Sequence, residues 1–181
     1  MSITRINFSA IETERLLLRK LTMADAGKVF DLRSNDEVNK YLDRVKTKSI
    51  DEAEAFITKI NTGIEHHEWL YWAIALKNDP SLMTGTICLW NFSADAAAEI
   101  GYELMPAYQG MGIMQEAIGA VIEFGFKKTA LKMIKAYTHI HNNRSSRLLE
   151  KFNFTIKTKY ESQDGNEDEL KNMFIYTLSA M

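Results

Sequence analysis

Gln109-Gly110-Met111-Gly112-Ile113-Met114 joins an alternating run, Ala97 to Leu104, to a stretch in which Ile113, Ala117, Ala120, Val121 and Phe124 recur at helical spacing. A strand that enters a helix through glycines gathers unpaired backbone N–H groups and the positive end of the helix dipole at one spot. That chemistry holds phosphate. Pro106 cannot donate to a ladder and stops the strand where the turn must begin. Gly110 and Gly112 lack Cβ atoms and let backbone approach a ligand closely. No lysine–serine pair follows the glycines, which argues against a P-loop. The Gly-x-Gly-x-x-Gly spacing of a dinucleotide fold is absent as well. Standing alone, the turn reads equally well as punctuation between strand and helix.

Other side chains with chemical potential lie on either side of it. Asn142 and Ser145 sit three apart at the start of a late helix, the spacing of a helix cap. Glu99 stands at the start of the strand that leads to the turn, and Glu161 at the end of the next-to-last strand. Each is by itself an ordinary solvent-facing carboxylate. Glu65-His66-His67-Glu68 has metal-ligating types, but adjacent residues point apart, so a solvated loop and no metal is the expectation.

These residues need a scaffold. Thr13 to Leu21 reads as a buried strand through Leu16, Leu17 and Leu18. Thr22 with Asp25 opens a helix that carries Ala26, Val29, Phe30 and Arg33, and Asp36 to Leu42 forms a helical turn. Ser49-Ile50-Asp51-Glu52 is a capping box before the stripe Ala53, Phe56, Ile57, Ile60, Ile64. Leu70 to Leu76, Met83 to Trp90 and Ala97 to Leu104 read as an antiparallel meander, the first two joined by the turn cluster Lys77 to Ser81. After the glycine turn come a helix to about Thr129, a strand from Met133 to Ile140 and a helix from about Asn143 to Phe152. Two last strands, Thr155 to Glu161 and Asn172 to Leu178, flank a polar loop with a turn at Asp164-Gly165-Asn166. Residues 1–10 are expected to be frayed or lightly attached. Trp69, Tyr71 and Trp72 read as core aromatics.

The 181 residues suit one domain over 1–181, with 46% apolar and 25% charged side chains. A net charge of −2 gives no footprint for nucleic acid or an anionic membrane. Cys88 is the sole cysteine, which rules out an intrachain disulfide and suits a reducing compartment. No apolar run approaches the roughly 18 residues of a membrane span, and the first residues lack signal-peptide character. The expected setting is cytoplasmic, as a monomer or homodimer.

Gln109 to Met114 resembles the Gln/Arg-x-x-Gly-x-Gly/Ala motif with which GNAT N-acetyltransferases bind the pyrophosphate of acetyl-CoA. Gln109 and Gly112 match. Met114 replaces the small last residue, and its side chain is expected to point away from the cofactor. The resemblance extends to the RimJ/RimL-like branch that acetylates ribosomal-protein N-termini. Thr13-Glu14-Arg15-Leu16-Leu17-Leu18-Arg19 is similar to that branch's opening strand, and Glu99-Ile100-Gly101-Tyr102-Glu103-Leu104 to its fourth. Asn142 to Phe154 is similar to its late helix, with Asn153 where the family usually has the glycine that leaves the helix.

The resemblance covers roughly residues 13–178. It implies a single α/β (α+β) GNAT-like domain, with a mixed, mostly antiparallel sheet of about seven strands flanked by helices. That sheet would be splayed between the fourth and fifth strands by a bulge in the fourth. It further implies an acetyl-CoA cosubstrate bound by Leu104, Met105, Gln109, Gly110, Met111, Gly112, Ile113, Met114 and Asn142, the last on pantetheine. Backbone of Met105 and its neighbours is expected beside the thioester. Many acetyltransferases place a proton-donating Tyr seven residues after that Asn, but Leu149 stands there, so Ser145 or water is the implied acid. Glu99, Glu161 or water is the implied base, and Tyr41 and Leu42 would wall the acceptor cleft. The acceptor is an amine, a protein N-terminus or a small molecule. A non-catalytic acyl-CoA-binding module is the reading from another class.

Overall fold

Leu70–Leu76 is apolar almost throughout because both faces of this strand are covered. The computed structural model describes residues 7–159 and 172–180. Its strands are β1 (Ile11–Glu12), β2 (Leu16–Arg19), β3 (Leu70–Leu76), β4 (Asp79–Trp90), β5 (Ala97–Leu104), β6 (Met133–His139), β7 (Thr155–Lys159) and β8 (Met173–Ser179). Its helices are α1 (Ala26–Ser34), α2 (Asp36–Asn39), α3 (Ile50–Glu65), α4 (Ile113–Lys128) and α5 (Asn143–Lys151). One sheet of eight strands runs in the order β1-β2-β3-β4-β5-β6-β8-β7. All neighbours are antiparallel except β5 and β6. A parallel pair needs a crossover, and α4 supplies it.

Alternation along the strands divides the core into two layers. Trp72, Ile74, Ile87, Leu89, Ala98 and Ile100 pack against Ile113, Ala117, Ile118 and Val121 of α4. On the other face Tyr71, Ala73 and Met83 pack against Val29 and Leu32 of α1 and Ala53, Ile57 and Ile60 of α3. Ser49 caps α3 by accepting the Glu52 N–H at 3.2 Å. The buried Asp25 carboxylate takes the Arg19 guanidinium bidentately at 2.8 Å on each oxygen and the Thr22 N–H at 2.7 Å, which ties the start of α1 to β2. Burial alone would raise the pKa of Asp25, but these partners outweigh it and hold the carboxyl below its usual range. Trp72 and Tyr71 are core residues, and Trp69 donates to the Ile60 carbonyl across Gly63. Among the described residues no helix is long and apolar enough to cross a membrane.

Three expectations change. An eighth strand, β1, pairs Ile11 with Leu18, in residues to which the sequence reading assigns no element. The turn after β3 shrinks to Lys77 and Asn78, since β4 already begins at Asp79. The expected bulge is not in β5, whose register with β4 runs unbroken from Gly85↔Leu104 to Trp90↔Glu99. A register shift lies instead between β3 and β4, where Thr84 is the extra residue between Ile74↔Gly85 and Ala75↔Met83. The splay itself is present. Pairing of β5 with β6 ends at Glu99↔Lys135, and the two strands part beyond it.

Candidate active site

The β5–β6 gap opens toward the glycine turn. Gly110 and Gly112 have φ of 77° and 75°, the left-handed region that side chains with a Cβ occupy at a cost. Gly112 is the N-cap of α4 and offers no side-chain acceptor. The first intrahelical acceptor is the Gly112 carbonyl, which takes the Glu116 N–H at 3.0 Å. The N–H groups of Ile113, Met114 and Gln115 therefore stand open at the positive end of a 16-residue helix. Met114 is buried in the core under α4, so its length does not obstruct the turn.

Arg15 pins the turn from behind. Its Nη1 donates to the Met111 carbonyl at 3.0 Å, and its Nε to Glu116 Oε2 at 2.6 Å. Glu116 Oε1 also accepts from the Arg15 backbone N–H at 2.8 Å and from Thr13 Oγ1 at 2.5 Å. Burial pushes the Glu116 pKa up, but the bonds from Thr13 and Arg15 outweigh that and lower it. Gln109 Nε2 donates to the Leu104 carbonyl at 3.1 Å, while its Oε1 accepts from Arg144 Nη1. Its side chain thus binds the end of β5 to the first turn of α5.

Strand edges alternate in hydrogen bonding. Met105 N–H is committed to the Thr84 carbonyl at 2.9 Å. The N–H groups of Leu104 and Tyr102 consequently point to the opposite edge, into the gap, consistent with the Leu104 carbonyl meeting Gln109 there. Met105 offers its N–H to the sheet and not to a ligand, so Leu104 and Tyr102 hold the donors expected of it.

Across the gap stands α5. Asn142 Oδ1 accepts the Ser145 N–H at 3.2 Å, the cap that the spacing predicts. Its amide nitrogen engages no protein acceptor among the described residues. Ser145 Oγ lies 2.7 Å from the Tyr102 hydroxyl, a bond that joins α5 to β5 over the opening. Burial pushes the Tyr102 phenol up to about 12 against the lowering effect of that bond.

The opposite face of β5 carries Glu99, Gly101 and Glu103. Glu99 Oε1 accepts from Asn91 Nδ2 at 2.8 Å. Burial raises the Glu99 pKa, while Asn91 and the charge of Lys135 oppose the rise. Glu103 is occupied by Arg44, which donates from Nη1 at 2.7 Å and from Nη2 at 2.5 Å and also reaches Asn39 through Nε at 2.7 Å. Glu103 is therefore committed to holding the α2–α3 loop over this face. Tyr41 stacks on His139 at 5.3 Å, and Leu42 is exposed. Glu161 lies outside the described residues. His66, His67 and Glu68 are exposed after α3. Asn153 leaves α5 with φ of 61°, as its position requires. A cavity of about 790 Å³ runs along the outside of α4 past Gly119 and Lys128 and meets the glycine turn at Arg15, Gly112, Gln115 and Glu116. The polar side chains converge in the strand gap instead.

The splayed parallel strands and the glycine turn occur in a chain that is similar to known acetyltransferases. The acetyltransferase (GNAT) domain family model matches residues 15–155. The chain belongs to the GNAT acetyltransferase family. It is 34% identical over 165 residues to the N-acetyltransferase YoaA of Bacillus subtilis (strain 168), covering 87% of this chain and 91% of that one. Two solved acetyltransferases share its fold at lower identity. RimL, a ribosomal L7/L12 α-N-protein acetyltransferase in complex with CoA, superposes with a TM-score of 0.80 at 18% identity over 94% of this chain and 98% of its own. Spermidine N-acetyltransferase of Vibrio cholerae, with CoA and spermine, gives 0.77 at 18% over 92% and 96%. The protein is accordingly an N-acetyltransferase of the GNAT family.

Tyr102, Arg15 and Arg144 complete the site beyond what sequence reasoning found. Tyr102 and Arg15 stand in the strands that carry the family resemblance, and Arg144 in its late helix. Their roles depend on which segments the fold brings together.

Proposed function

We propose that this GNAT protein passes an acetyl group from acetyl-CoA directly to a primary amine within a ternary complex, with a protein N-terminal α-amine as acceptor. One observation carries the reading. The gap where β5 leaves β6 has a carboxylate of raised pKa, Glu99, on one face and a hydroxyl pair, Tyr102 and Ser145, on the other.

The residues fit the cosubstrate. Gly110 leaves open the volume a Cβ would fill, a Cβ at Gly112 would meet only the flexible end of Arg15 at 3.3 Å, and the N–H groups of Ile113, Met114 and Gln115 would hold pyrophosphate beside Gly110 and Met111. The Asn142 amide holds pantetheine. Acetyl-CoA supplies an acetyl group activated as a thioester. The N–H groups of Leu104 and Tyr102 donate toward the thioester oxygen as charge grows there. Glu99 takes a proton from the ammonium acceptor, directly or through water, so that nitrogen attacks as a neutral amine. Ser145 Oγ gives its hydrogen to the sulfur as the C–S bond breaks and recovers one from solvent. The proton on Glu99 and the second proton that the nitrogen sheds on becoming an amide both leave to solvent, so that, with the one returned to Ser145, ammonium and acetyl-CoA give amide, CoA thiol and one released proton.

The protein-terminus acceptor rests on the likeness to the RimJ/RimL branch. A polyamine or other small amine is the second reading, favoured by the comparable fold match to the spermidine enzyme. Calorimetry with CoA, followed by thiol release from acetyl-CoA over an amine panel, separates them. Peptides with a free N-terminus should turn over, and blocked peptides and spermidine should not. Turnover with spermidine alone moves the acceptor to a small amine, and failure to bind CoA removes the reading altogether.

Glu99 also makes a pH prediction. A base must be ionised, so kcat/KM falls as pH drops through the Glu99 pKa, and its raised pKa puts this limb above the ordinary carboxylate range. Asn91→Gly keeps a residue suited to the φ of 54° at that position but deletes the amide that lowers the pKa. Its acid limb should therefore move to still higher pH in pH–rate profiles. A limb that stays in place would remove Glu99 as the base.

A further inference from the structure

Ser145 is the third residue of α5. A serine hydroxyl on a helix can turn its hydrogen back onto a carbonyl of the preceding turn. A hydroxyl so turned points its proton away from the gap. What stands against this is the 2.7 Å contact with Tyr102, which comes from β5 beyond the last β5–β6 pair, Glu99↔Lys135. The alternation that sends Ile100 into the core layer under α4 sends Tyr102 to that same face, while Glu99 faces the other way. The partner of Ser145 is therefore fixed by the strand whose backbone donors line the gap.

We infer that Tyr102 is a positioning residue for proton delivery: its phenol donates to Ser145 Oγ and leaves the Ser145 hydrogen free to face the departing sulfur. Two facts support this direction. A phenol is a stronger donor than an aliphatic alcohol, and burial keeps Tyr102 protonated over the whole working range. The Asn142–Ser145 cap fixes the backbone of the serine, so its side-chain rotor is the freedom that Tyr102 removes. Tyr102 keeps its own proton throughout. The serine oxygen takes a proton from solvent as its hydrogen passes to sulfur, so no free alkoxide forms beside the more acidic phenol. The inference rests on the reading of Ser145 as the proton donor to sulfur.

The experiment is a double-mutant cycle over Tyr102→Phe and Ser145→Ala. It follows thiol release from acetyl-CoA with the best acceptor of the amine panel, or with water where no amine turns over. Tyr102→Phe retains the ring, so melting temperature and calorimetric CoA affinity serve as folding controls. Loss of one hydrogen bond that acts in the transition state should lower kcat about tenfold, with the KM for acetyl-CoA within about twofold. Ser145→Ala should lower kcat at least as far, and the double variant no further than Ser145→Ala alone. Independent multiplication of the two losses, or a wild-type kcat in Tyr102→Phe beside an impaired Ser145→Ala, overturns the role of Tyr102 only. A wild-type kcat in Ser145→Ala overturns the reading of Ser145 and, with it, this inference.

Discussion

Gly112→Glu should all but abolish CoA binding while strand and helix content persist. The φ of 75° at this N-cap costs any Cβ-bearing residue about 1–2 kcal/mol, which a domain of this size tolerates. The new carboxylate would stand at the helix end whose open N–H groups face the pyrophosphate, so it competes for those donors and repels the ligand. Its Cβ would lie 3.3 Å from Arg15 Nη2, a flexible terminus that can yield and even pair with it. The fold therefore survives what the ligand does not. Affinity should fall by at least about a hundredfold, on the order of 3 kcal/mol. Gly112→Asn, neutral and tolerant of left-handed backbone, should lose far less. Calorimetric titration with CoA, together with circular dichroism, checks both variants, and near-native affinity in Gly112→Glu would refute the placement of the pyrophosphate.

Gly85→Ala should damage stability and the site together. A Cβ there would come within 2.3 Å of the Glu103 carbonyl oxygen and 3.0 Å of the Leu104 Cα, both backbone of β5, so no side-chain rotation can relieve it. The strands must separate at the Gly85↔Leu104 pair, next to the Thr84–Met105 hydrogen bond. Overpacking of this kind costs about 1–3 kcal/mol. A peripheral residue would lose only that. Here Leu104 also carries the carbonyl that Gln109 holds and the N–H that faces the gap, so displacement reaches the glycine turn. CoA affinity should drop about tenfold, beyond the change in melting temperature. A variant that melts early yet binds CoA as tightly as the native protein would show that the end of β5 does not set the turn.

Both effects act through backbone, and this bears on how far the molecule can be read from its residues. The glycine turn was legible because left-handed backbone and an uncapped helix start leave a mark within a few residues. The splay was legible through resemblance only. The register shift between β3 and β4 was not legible: its extra residue is Thr84, where Met83-Thr84-Gly85 reads as plain strand. β1 escaped notice because Ile11-Glu12 is too short for a period, and its pairing depends on β2 folding back beside it. The sequence reading places backbone of Met105 and its neighbours beside the thioester, and register adds that the Met105 N–H is committed to Thr84 while those of Leu104 and Tyr102 turn toward the gap.

By itself the sequence determined what is held within a few residues: the caps at Ser49 and Asn142, the turn at Gly110 and Gly112, and the left-handed exit at Asn153. Each is a hydrogen bond or dihedral that the neighbouring residue types already select. Only the tertiary structure decided the partners of the chemical groups. Tyr102 meets Ser145 across 43 residues, Arg44 meets Glu103 across 59, and the Arg15 side chain meets Glu116 across 101. Such pairs follow from strand order and register, which are set by burial of the whole sheet, and no local pattern encodes them.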